Sequence, residues 1–161
     1  MKKHAPSPPT GNKILVIGIG NEFRGDDSVG LIIADKLEEK SRGSFEIRRE
    51  SGEGAGLLET WRGYDKVIVI DATHSNSRVG KIHRFDIEDI ELPERIFGSY
   101  TTHAFGLAEA IKMGKALLTL PPALIIFGIE GKSYAMGSKL STEVETAIDQ
   151  AVKAVLEEIN G

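Results

Sequence analysis

Ile14-Leu15-Val16-Ile17-Gly18-Ile19-Gly20-Asn21-Glu22-Phe23-Arg24-Gly25-Asp26-Asp27-Ser28-Val29-Gly30 is the stretch on which the reading of this chain turns. Its first six residues form an unbroken apolar run rich in β-branched side chains, as expected of a strand covered on both faces. A turn punctuated by Gly20 and Gly25 follows. Val29, Ile32, Ile33 and Leu37 then recur at helical spacing up to Glu39, with Asp26, Asp27 or Ser28 available as the cap. The order is strand, loop, helix.

The unit repeats outward from there. Phe45, Ile47 and Arg49 alternate with polar neighbours as in an edge strand, and the Gly-rich turn Ser51 to Gly54 leads to a short helix with Leu57, Leu58 and Trp61, ended by Gly63. Val67-Ile68-Val69-Ile70-Asp71 reads as a second buried strand, and Lys81 to Ile87 as a weaker one with mixed faces. Glu88 to Ser99 is an acidic connection. A helix is expected from about Thr102 to Leu118, stopped by Pro121-Pro122, then a fifth strand from Ala123 to Ile129. The final helix opens on Ser141-Thr142 with Glu145 and carries Val144, Ile148, Ala151, Val155 and Ile159 as one stripe. This alternation predicts a three-layer α/β/α sandwich around a five-stranded, mostly parallel sheet. The missing helix between the third and fourth strands predicts one antiparallel pairing.

Composition narrows the function. A chain of 161 residues, 40% hydrophobic and 27% charged, suits one domain, expected over residues 13–161 behind a loose Pro-rich tail at 1–12. A net charge of −4 argues against nucleic acid as a partner. No apolar run is long enough for a signal peptide or a membrane span, so no membrane partner is expected. The absence of cysteine excludes disulfides, thiolate zinc sites, iron-sulfur clusters and a cysteine nucleophile, and points to a cytoplasmic setting. A monomer is the simple expectation.

In doubly wound sheets ligands gather at the carboxyl ends of the strands, where the strand order reverses. The loops expected there hold Asp26 and Asp27, then Asp71, then His103. Two carboxylates and an imidazole would make a mixed oxygen and nitrogen site with open positions, suited to a divalent ion such as nickel or zinc. Singly, each has a plainer explanation: Asp27 as a helix cap, Asp71 as a strand end, His103 as a loop histidine. Their combination raises the odds of a site. The first loop does not complete a dinucleotide fingerprint, because Phe23 holds the third glycine position and two acids follow that would repel a pyrophosphate. P-loop, zincin and nucleophile-elbow signatures are also absent.

The run Gly18 to Gly30 resembles the hallmark of the hydrogenase maturation proteases, endopeptidases that trim the large subunit of nickel-iron hydrogenases. The resemblance continues through the second-loop glycines, Val69-Ile70-Asp71-Ala72, Thr101-Thr102-His103-Ala104-Phe105-Gly106-Leu107 and Phe127-Gly128-Ile129-Glu130. It covers the chain from about Lys13 onward and implies a phosphorylase/hydrolase-like fold. It also implies an aspartic-type endopeptidase activity that removes the carboxyl-terminal extension of the precursor and so activates the hydrogenase. By the same resemblance Asp27, Asp71 and His103 are the metal ligands and catalytic residues. The nickel they meet is already carried by the hydrogenase large-subunit precursor, and zinc, cadmium or another divalent ion would take its place in a crystal.

The chain departs from the family where many members have Asp-Gly-Gly-Thr and this one has Ser51-Gly52-Glu53-Gly54. Asp26 and Glu53 are then weak candidates for a water-activating base, Glu53 being more simply a solvated loop acid. His74 could add a ligand or meet the substrate, though a place on the loop surface is the plainer expectation for it, as for His83 on its strand and His4 in the tail. Two other functions fit parts of the pattern: a noncatalytic nickel-dependent maturation chaperone, and a peptidyl-tRNA hydrolase-like esterase, which shares a Gly-x-Gly-Asn turn but calls for a basic face.

Overall fold

The computed structural model describes residues 13–89 and 106–161, with the side chain of Ala55 left aside. Ten elements follow in order: β1 Ile14–Ile19, a 3-10 turn Gly25–Ser28, α1 Val29–Glu38, β2 Glu46–Glu50, α2 Gly54–Thr60, β3 Lys66–Thr73, β4 Ile82–Asp86, α3 Leu107–Leu117, β5 Ala123–Glu130 and α4 Thr142–Asn160. The tail, His4, most of the Glu88 to Ser99 connection and the opening of the helix expected at Thr102 lie outside the described residues.

The sheet runs β2-β1-β3-β5-β4. Four strands are parallel, and the antiparallel pairing joins β4 to β5, Phe85 opposite Ile126. The sequence reversal after β3 therefore places β4 at the far edge, beyond β5, and not beside β3. The strand order turns between β1 and β3: the chain leaves β1 toward β2 on one side, and returns past it to β3 on the other. That seam is the switch point.

Two cores flank the sheet. Val16, Ile68, Ile70, Ile125, Phe127 and Ile129 face α1 and α4, meeting Val29, Ile33, Leu37, Val144, Ile148 and Val155. Leu15, Ile17, Val67, Val69, Leu124 and Ile126 face the opposite layer, with Leu57, Trp61, Leu107 and Ile111 of the α2 and α3 region. Both faces of β1, β3 and β5 are thus apolar, which is why these strands read as continuous hydrophobic runs. β2, with its exposed Arg48 and Arg49, is the edge strand its alternation predicts; Arg49 is tied to Asp35 and Glu38 of α1.

Glycine brings α1 down onto the seam. A methyl group at Gly30 would strike the carbonyl oxygens of Ile19 and Ile70, the last residue of β1 and a residue of β3, so only hydrogen fits there. The first turn of α1, and the 3-10 turn before it, consequently lie directly over the carboxyl ends of β1 and β3. At the other end of the chain Ser141 caps α4, its hydroxyl accepting from the Val144 N–H at 3.4 Å.

Candidate active site at the β1–β3 seam

Asp27 stands on the 3-10 turn and Asp71 near the end of β3. Asp71 shares the strand parity of Val67 and Val69, which face the α2 and α3 layer. It is buried, and one oxygen accepts from the Ala72 N–H at 2.8 Å. Burial pushes its pKa well above the usual carboxylate range, and the negative charge of Asp27 pushes the same way, against the Ala72 hydrogen bond. Asp27, half-buried, is raised to about 6, chiefly by burial, while a hydrogen bond from the Asn21 backbone and the positive charge of Arg24 pull it down. Two acids from separate elements thus lie close enough to repel, in a setting that resists ionising both. Such a pair attracts a cation or shares a proton.

Asp26, the neighbour of Asp27, is turned away from this chemistry. It has no exposed surface. Its carboxylate accepts from the backbone N–H groups of Lys132 at 2.8 Å, Ser133 at 3.0 Å and Ser141 at 2.7 Å, and its own N–H donates to the Ser133 carbonyl at 2.8 Å. Neither Asp26 nor Asp27 caps α1. Ser28 occupies that position without a side-chain cap bond, its hydroxyl donating instead to the Gly25 carbonyl. Asp26 is a clip between the β1–α1 loop and the β5–α4 loop, and the full engagement of its carboxylate with main-chain donors does not suit a base that must take a proton from water.

Glu53 is exposed just before α2, and its carboxyl lies beside Gly56 together with that of Glu50. His103 lies outside the described residues. Among the described residues no three histidine, cysteine, aspartate or glutamate side chains gather in a metal-binding group. The acid pair could offer a cation two oxygen donors, the rest of a coordination shell then falling to other ligands.

Two residues at the rim were not singled out from the sequence. Arg24 carries a buried Nε with no hydrogen-bond partner among the described residues, and its charge reaches Asp27. Glu130, 2% exposed at the end of β5, accepts from Thr73 Oγ1 at 2.8 Å, Ser75 Oγ at 2.7 Å and the Ser75 N–H at 2.8 Å, with His83 Nε2 at 3.3 Å. It pins the loop that leaves β3 after Thr73, two residues beyond Asp71. His74, in that loop, is exposed with its ring 5.6 Å from the Tyr134 ring, and Tyr134 in turn donates to the Thr73 carbonyl at 2.6 Å. His83 packs flat against Phe85.

The fold and the rim together define an α/β protein whose switch point holds two carboxyls that are hard to ionise, a setting for a cation or a reacting water. Residues 51–158 match the sequence model of the HycI family, described as hydrogenase maturation protease. A Methanocaldococcus jannaschii chain named for that protease activity is 32% identical over 91% of this chain and 96% of its own length. The hydrogenase 2 maturation protease of Escherichia coli is 27% identical over 89% and 88%. In three dimensions the maturating endopeptidase HybD of E. coli superposes with a TM-score of 0.76 over 92% of both chains, at 23% identity, a likeness of fold. The [NiFe] hydrogenase maturation protease HybD of Thermococcus kodakarensis gives 0.66 over 91% and 99%, at 25% identity. This chain belongs to the hydrogenase maturation protease family. It is therefore a hydrolase, an endopeptidase.

Proposed function

We propose that the protein removes the carboxyl-terminal extension from the nickel-loaded large-subunit precursor of a nickel-iron hydrogenase, and that Asp27, Asp71 and His103 complete the coordination of the nickel the precursor brings. The observation that carries this reading is the pair of carboxyls at the switch point, both raised by burial, with the charge of Asp27 raising Asp71 further. Burial resists ionising both carboxyls at once, and an arriving dication would offset that resistance by pairing with their negative charge. Family membership supports a hydrogenase precursor as the substrate.

The chemistry of the donors fits a reader of metal more than an owner of it. With no cysteine in the chain, the soft thiolates that hold nickel must come from the precursor, and the protease adds only harder oxygen and nitrogen ligands. Such ligands orient the metal without extracting it. Fixing the nickel fixes the polypeptide that carries it, and so presents the extension at the rim, where proximity lowers the barrier to hydrolysis. The metal can also polarise a carbonyl or a water there. His103 shortly precedes Leu107, where α3 begins in the layer that Asp71 faces. We infer a cytoplasmic monomer. Among the described residues no helix is long and apolar enough to cross a membrane.

The test is purified protein mixed with nickel-loaded precursor and, separately, with nickel-free precursor, each followed by intact mass. A short peptide lost only from the nickel-loaded subunit is the expected result. Equal trimming of both would remove nickel from the reading, and a tight complex with no change in mass would point to the chaperone alternative. Asp27→Asn and His103→Ala should each abolish trimming with the fold intact.

A further inference from the structure

Two large apolar side chains stand in solvent on the two loops that Asp26 clips together. Phe23, 64% exposed, belongs to the loop that carries Asp27, and Met136, 61% exposed, to the loop between β5 and α4. They are neighbours by construction, because the Gly137 N–H donates to the Phe23 carbonyl at 2.8 Å. Phe23 is also fixed from its other side, its N–H donating to Asn21 Oδ1 at 2.9 Å. Beneath them Gly25, with a φ of +52°, packs against the Ser133 and Lys139 carbonyls so closely that no larger residue fits. The backbone that presents both side chains is thus tightly bonded, and it holds two exposed apolar residues on adjoining loops. A single exposed apolar residue needs no explanation, but two on adjoining loops, one of them the loop that carries Asp27, do.

We propose that Phe23 and Met136 form an apolar lip that seats an aliphatic or aromatic side chain of the precursor's carboxyl-terminal extension, and so contribute to substrate selection. The inference rests on the protease reading above. Its occupant follows from nearness: the Asp27 N–H donates to the carbonyl of Arg24, the residue after Phe23, at 3.0 Å, so a polypeptide held at Asp27 lies within reach of Phe23. Apolar contact there adds binding without using the acid pair, so it acts on capture of the substrate and not on the bond-breaking step.

Among the described residues, the other exposed large apolar side chains provide an internal control. Met113, Leu117 and Leu118 lie on α3 or just after it. Leu117 and Leu118 are at the end of α3 that leads into the start of β5, at the amino ends of the parallel strands and so opposite the acid pair.

The experiment compares steady-state trimming of the nickel-loaded precursor by the wild-type protein, Phe23→Ser, Met136→Ser, the double variant and Leu117→Ser, with thermal unfolding confirming intact folds. For the double variant KM should rise roughly tenfold or more with kcat within about twofold, as expected for losing the burial of an apolar side chain. Phe23→Leu should restore most of the loss in Phe23→Ser, and Leu117→Ser should match wild type. An unchanged KM in the double variant overturns the lip and leaves the protease reading standing. If the wild-type protein trims nothing, that reading falls, and precursor binding decides the lip: weaker capture by the double variant supports it, and equal capture overturns it.

Discussion

Asp26 and Asp27 are adjacent in the chain and opposite in function: the first is sealed inside and spends its carboxylate on three backbone amides, and the second reaches the seam, where its charge acts on Asp71. Exchanging their surroundings takes a single peptide step. The consequences separate cleanly in experiment.

Removing the charge at Asp27 should stabilise the protein. Its carboxyl titrates at about 6 when folded against an ordinary value of 3.8, so the folded state holds the proton more tightly than the unfolded chain does. Stability from that preference is complete below 3.8 and is lost as pH rises through 6. At pH 8, Asp27→Asn should therefore unfold later than wild type by about 1–2 kcal/mol, allowing for solvent screening of a half-exposed group. Calorimetry at pH 8 and pH 3.5 checks it: the gain should shrink at the lower pH, and a lower melting temperature at pH 8 would refute the assignment.

Asp26→Ala should do the reverse. It leaves the partly buried main-chain N–H groups of Lys132, Ser133 and Ser141 without their shared acceptor, and should lower stability by about 2–4 kcal/mol. Asp26→Asn, which keeps one acceptor oxygen, should fall between. Urea unfolding gives the comparison, and a loss below about 1 kcal/mol for the alanine variant would show that the clip is dispensable.

Glu130 carries the opposite pH signature to Asp27. Burial opposes its ionisation, but hydrogen bonds from Ser75, then Thr73 and His83, outweigh burial and hold its pKa below the ordinary 4.5. Stability from this group is present above 4.5 and disappears as pH falls through the lowered value. Glu130→Ala should cost about 2–4 kcal/mol at neutral pH by leaving the Thr73 and Ser75 donors unpaired. Amide exchange at Ser75 should accelerate selectively; unaltered protection there would mean that the loop after β3 is held by something else.

Gly30→Ala tests the seating of α1. The added methyl meets the Ile19 and Ile70 carbonyls, backbone atoms that cannot swing aside. We expect destabilisation of about 2 kcal/mol or more, in the range of overpacking. Trimming activity should drop further than stability alone explains, because the turn bearing Asp27 is lifted with the helix. Full activity in a folded Gly30→Ala protein would contradict that coupling.

The layered sheet was legible because β1, β3 and β5 are buried on both faces and so write themselves as apolar runs, while the stripe and the Ser141 cap of α4 mark a helix unambiguously. What was not legible depends on partners far along the chain. Nothing local tells Asp26 from Asp27; the distinction comes from Lys132, Ser133 and Ser141, which meet Asp26 only after the chain has built the rest of the sheet. Glu130 ends a strand and gives no hint of its role until Thr73, Ser75 and His83 converge from the neighbouring strands and loop. Likewise the mixed pattern of β4 shows that it is half covered, but not that its neighbour is β5. The acid pair itself was anticipated from the rule that sites gather at a switch point, whereas its repulsion and its resistance to ionisation belong to the folded geometry.

The bare hydrogen at Gly30 has a last implication. The turn that bears Asp27 can sit only as low over β1 and β3 as the layer beneath it is thin, so the placement of that acid is set by a steric gauge one storey below it, at the bearing surface between α1 and the sheet.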